Sequence, residues 1–60
     1  MPKPNDTPVE EWSDGWLTLE IASILKDASY LIMYDNERRS AGYPVTREEM
    51  IAFVHKAQCS

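Results

Sequence analysis

The sequence predicts an all-α chain. A long helix over about residues 16–40 and a short helix over about 47–57 form an antiparallel hairpin. An acidic segment with a short helical turn precedes them, and dimerisation completes the core. Three observations carry this reading. Apolar residues from Leu17 onward recur at spacings of 4 and 3 rather than 2. The stretch Val45–Met50 spells a helix start. Nowhere does the sustained alternation of a half-buried strand occur. A chain of 60 residues has room for one small core and not for two domains.

Residues 1–7 read as a solvated tail, because Pro2 and Pro4 disfavour helix and nothing beside them can pack. The acidic, Trp-containing segment 8–15 follows. Thr7 suits an N-cap, Pro8 the first helical position and Glu10 the far side of a capping box. A short turn over 8–13 is therefore expected, interrupted by Ser13-Asp14-Gly15.

From Trp16 the helical pattern takes over. Leu17, Ile21, Ile24, Leu25, Ala28, Leu31 and Ile32 fall within an arc of about 120°, the width of a core-facing stripe. Glu20, Ser23, Lys26, Asp27 and Ser29 occupy the polar side. Arg38 and Arg39 suit a helix C-terminus, and Gly42 suits the position just past it. A stop near Asn36 is the competing boundary.

In the last element Thr46 is the N-cap, and Glu49 closes a capping box with it. Val45 and Met50 form a hydrophobic staple, and Pro44 keeps the approach extended. Met50, Ile51, Phe53, Val54 and Ala57 form its apolar face. Residues 58–60 are expected to fray.

These lengths do not match. A helix over 17–40 would be about 36 Å long, and the second helix about 16 Å. The stretch Leu17–Ala28 then needs a cover. The N-terminal segment could supply Trp12 and Trp16, a second copy could pair there, or another protein could bind. Leu19, Tyr30, Met33 and Tyr34 form a weaker stripe on the opposite side. A small hairpin has little core to offset its chain entropy, which points to a homodimer.

Charge separates the chain into two parts. The net charge is −4. Residues 1–20 contain Lys3 against Asp6, Glu10, Glu11, Asp14 and Glu20, and the rest of the chain is balanced. Glu10, Glu11, Trp12, Asp14 and Trp16 thus mix acids with large aromatics, as docking segments do. Together with Leu19, Tyr30, Met33 and Tyr34 they are the candidate protein-interaction residues. The alternative for Trp12 and Trp16 is structural, with rings inward and carboxylates outward.

The composition argues against several functions. An acidic chain is poorly suited to phosphate backbones. Arg38, Arg39 and Arg47 are the alternative, a nucleic-acid contact of a small transcriptional regulator, but Glu48 and Glu49 at the helix entry would repel phosphates. No apolar run approaches the ~18 residues of a membrane span, and no secretory signal is visible. A single cysteine excludes an internal disulfide and suggests the cytoplasm. His55 and Cys59 offer two metal ligands where a structural zinc site needs four, so no metal or cofactor is expected. No acid is expected to support His55, and Cys59 lies beside the chain end, so catalysis is not expected either. By size and composition, the chain is of the kind found among small regulators, inhibitors, and phage or mobile-element accessory proteins.

Overall fold

The computed structural model describes Pro4 and residues 6–59. Most of the expected tail (residues 1–3 and 5) and Ser60 lie outside the described residues. A 3₁₀ turn, Val9–Glu11, comes first. Helix α1 covers Asp14–Leu25, a 3₁₀ helix Ala28–Ile32, α2 Asp35–Ser40 and α3 Arg47–Cys59. No strand occurs among the described residues, and the all-α class holds.

The first turn is shorter than expected and is capped differently. It spans three residues, and Pro8 rather than Thr7 precedes it, with no side-chain cap. Thr7 instead offers its carbonyl to the Trp12 indole N–H at 2.9 Å. Ser13-Asp14-Gly15 does not interrupt a helix; it starts one. The Ser13 hydroxyl accepts from the Trp16 amide at 3.2 Å, so α1 begins at Asp14, two residues before the expected start.

The expected long helix over 16–40 is not continuous. It ends at Leu25, where Lys26 adopts the left-handed conformation at φ 56°. The Lys26 amide donates to Ser23 O and the Asp27 amide to Ala22 O, the paired bonds of a Schellman ending. Asp27 then holds the break open. Its Oδ1 accepts from the Ser29 amide and the Ser29 hydroxyl, and its Oδ2 accepts from the Tyr43 hydroxyl at 2.8 Å. Such local side-chain bonds offer the backbone an alternative to the helix. Pattern reading missed the break because the 3–4 spacing of Ile24, Ala28 and Leu31 runs straight across it.

The break turns Tyr30 inward. In a straight helix it would face away from the Leu17–Ile21 stripe; here it is fully buried. The same rotation pushes Leu31, Ile32 and Tyr34 outward, so Leu31 and Ile32 do not extend the core stripe.

Two sequence expectations survive in detail. Gly42, at φ 80°, follows α2, with Gly42 N–H bonded to Arg39 O and Tyr43 N–H to Arg38 O. At the start of α3 the Glu49 amide donates to the Thr46 hydroxyl, and Glu49 Oε1 accepts from the Thr46 amide at 2.9 Å. The Val45 amide donates a second bond to the same carboxylate oxygen. Helix α3 continues through Gln58 and Cys59, residues expected to fray.

The core consists of Val9, Trp12, Leu17, Ile21, Ala22, Tyr30, Met50 and Val54. With 12 residues α1 is about 18 Å long and with 13 residues α3 about 20 Å, so the length mismatch disappears. Helix α3 packs on both α1 and the first 3₁₀ turn. The cover for Leu17–Ile21 is therefore internal: α3 and the second 3₁₀ helix both pack on α1, and Val9, Trp12 and Tyr30 join the same core. Arg47, the first residue of α3, bonds Asp14, the first residue of α1. An antiparallel hairpin would instead place the start of α3 beside the end of the first helix.

Candidate protein-interaction surface

The structure distributes the candidate residues among three environments. Trp12 and Tyr30 belong to the core. This corrects the placement of Tyr30 on an exposed second face and puts the Trp12 ring inward. Trp16 and Met33 are half-buried. Glu10, Glu11, Asp14, Leu19 and Tyr34 are exposed.

Tyr30 is held from several sides. Its hydroxyl donates to Pro44 O at 2.7 Å, and its ring meets Tyr43 edge-on at 5.8 Å. Its carbonyl accepts from Arg38 Nε at 3.1 Å and Nη2 at 2.6 Å, while the guanidinium lies 4.1 Å from the ring centroid. Burial raises the Tyr30 phenol above its ordinary value, and the hydrogen bond to Asp27 does the same for Tyr43. Asp27 is correspondingly lowered, first by the Ser29 hydroxyl and then by the Tyr43 hydroxyl.

The arginines of the nucleic-acid alternative are mostly engaged within the chain. Arg38 is half-buried against Tyr30. Arg47 bonds Asp14 Oδ1 at 2.7 Å and Glu10 O at 2.9 Å. Arg39 is exposed, and its charge helps to lower Glu49. The larger effects on Glu49 are the Thr46 and Val45 amides it accepts from.

Sequence reasoning missed two ties. Arg47 reaches back 33 residues to Asp14, and His55 Nε2 reaches 45 residues to Glu10 Oε2 at 2.5 Å. No spacing rule connects such positions. The Glu10 carboxyl is lowered, first by a backbone hydrogen bond and then by His55. So an acid does support His55, contrary to expectation. This pair packs the first turn onto α3, in a depression shared with Thr7, Pro8, Val9, Trp12 and Gln58. Cys59 is a free, exposed thiol at the end of α3. No group of three metal-ligating side chains forms among the described residues.

The exposed apolar surface lies in two places. Around the second 3₁₀ helix, Leu31 is 41% exposed, Ile32 82% and Tyr34 80%. On α1, Leu19 is 49% exposed and joins Trp16, Ser13 and Gly15 in lining an open groove. No helix among the described residues is long and apolar enough to cross a membrane. No family model, curated protein or solved structure matches the chain.

Proposed function

We propose that this chain is a small acidic, non-enzymatic interaction module that binds another protein and regulates or inhibits it in the cytoplasm. The observation that carries this reading is the run Leu31–Tyr34. Four consecutive apolar residues lie at the surface or half-exposed, and two of them are more than three-quarters exposed. A chain with so small a core gains stability from every apolar group it hides, so leaving Ile32 and Tyr34 in water has a cost that a partner would remove.

Self-association is the lesser reading. The small core still favours it, but an uncovered Leu17–Ala28 stretch no longer does, since α3 and the second 3₁₀ helix pack on α1. The nucleic-acid reading is weakened further, since Arg38 and Arg47 are spent on Tyr30, Asp14 and Glu10.

The test is the double variant Ile32→Ser with Tyr34→Ser. It should keep the circular-dichroism melting curve of the parent and lose the protein partner that the parent retains in a pull-down from the source cell. If the double variant retains the same partner, Leu31–Tyr34 is not the surface used. Retention of low-salt duplex DNA by the parent, lost in Arg39→Ala, would favour the regulator instead.

A further inference from the structure

We infer that the groove over the first half of α1 receives a cationic, amphipathic segment of a partner protein, with one apolar side chain seated between Trp16 and Leu19 and Lys or Arg beside it. This rests on the protein-binding reading and specifies the partner's chemistry.

The groove is lined by Ser13, Gly15, Trp16 and Leu19. Trp16 packs partly on the core, so its ring is anchored at one edge and available at the other. An anchored aromatic ring offers contact area at low entropic cost, the property that enriches Trp at binding hot spots. Gly15 carries no side chain, and a Cβ built there would meet only the Ser13 hydroxyl, at 3.9 Å. The groove therefore has a low floor between two apolar walls.

Charge selects the occupant. From Val9 to Leu25 the chain has Glu10, Glu11, Asp14 and Glu20 and no Lys or Arg. From α3, the Arg47 guanidinium reaches Asp14 and the His55 ring reaches Glu10, both toward the first turn and the start of α1. Glu20 follows Leu19 directly and sits one turn beyond Trp16. A Lys or Arg on the incoming segment gains from these carboxylates and from the electron-rich face of Trp16. A second copy of this chain would bring its own acids against the same acids, which opposes an isologous dimer through this groove. Anionic membranes and nucleic acid are opposed for the same reason.

The experiment uses the full chain, labelled with nitrogen-15, and three synthetic peptides: a helical Leu/Lys repeat, a Leu/Glu repeat and an oligo-lysine. The Leu/Lys peptide should shift amides of residues 13–20 and bind more weakly as salt rises, while the Leu/Glu peptide produces no shifts. Two variants keep the groove distinguishable from general acidity. Leu19→Ser removes a wall, and Gly15→Leu fills the floor in a helical position with space for a side chain. Each should weaken the Leu/Lys peptide by about tenfold, the loss expected when a hot-spot contact goes, with the fold retained and the melting temperature of Gly15→Leu no lower than the parent's.

Equal binding of oligo-lysine and Leu/Lys would overturn the inference, because charge alone would then suffice. So would parent-like affinity in both variants, or groove shifts that grow with protein concentration before any peptide is added. Shifts centred on Leu31–Tyr34 would also overturn it while leaving the protein-binding reading intact. That reading itself fails separately, through the Ile32→Ser, Tyr34→Ser pull-down.

Discussion

Tyr30 and Tyr34 show how little residue type alone decides at the level of one side chain. They are four residues apart and chemically identical. Tyr30 is fully buried with its hydroxyl on Pro44 O; Tyr34 is 80% exposed. Tyr34→Ala should change stability by no more than about 0.5 kcal/mol, as surface substitutions do. Tyr30→Ala should cost about 3–5 kcal/mol through the cavity it leaves, and Tyr30→Phe about 1–3 kcal/mol by stranding the Pro44 carbonyl. Urea unfolding of the three variants measures all of this. Equal losses in Tyr30→Ala and Tyr34→Ala would mean that the first helix continues unbroken. Lys26 gives a second residue-level expectation. It occupies a left-handed position that costs a side-chain-bearing residue about 1–2 kcal/mol. Glycine there gives back part of that as unfolded-state entropy. Lys26→Gly should therefore stabilise the chain by about 0.5–1 kcal/mol, read as a higher urea midpoint with an unchanged slope.

Among the elements, α3 and the N-terminal segment contrast most. The start of α3 is set locally by Thr46 and Glu49, each satisfying the other's backbone amide. Thr46→Ala should cost about 1 kcal/mol, and far-ultraviolet thermal melts of the variant and parent would show it as a lower midpoint. The N-terminal segment depends on what it lies against. Val9 and Trp12 are two of the eight core residues, and the segment is tied to α3 through Glu10, which meets both Arg47 and His55. A chain of 60 residues holds about 3–9 kcal/mol in all. Trp12→Ala, at about 3–5 kcal/mol, removes much of that, so a chain lacking residues before Ser13 should show little cooperative unfolding. Loss of a partner on such truncation would report loss of the fold. The point variants in the α1 groove and at Leu31–Tyr34 avoid this ambiguity.

For the whole molecule, ionisation limits stability on both sides. Glu10 and Glu49 are lowered from an ordinary 4.5, and Asp27 from 3.8. A lowered carboxyl stabilises the folded state above its unfolded value, and that contribution disappears as pH falls through the folded one. The acid limb should therefore begin near pH 4.5 and deepen below 3.8. Tyr30 and Tyr43 are raised from 10.0, so stability should be lost again as pH rises above about 10. Melting temperatures measured from pH 3 to 11 should form a plateau between these limits. A decline centred near pH 7 would contradict the assignment. His55→Gln should flatten part of the acid limb, because His55 is one of the groups that lower Glu10.

The sequence by itself determined the class, the start of α3, the stop at Gly42 and the uneven charge. Each of these depends on neighbours within a few residues: a capping box, a left-handed glycine, a periodic stripe. Tertiary structure decided where the first helix ends, which tyrosine goes inside, and what covers Leu17 and Ile21. The break at Lys26 costs locally, and no local rule demands it. It is sustained by Asp27 meeting Tyr43, by Tyr30 meeting Pro44 and by Arg38 closing over Tyr30. Those contacts join residues 8 to 16 positions apart, so they exist only once the chain has folded back. The same long-range contacts supply a cover for Leu17 and Ile21 from within the chain. Trp12 completes the core from the acidic segment, leaving Glu10, Glu11 and Asp14 exposed.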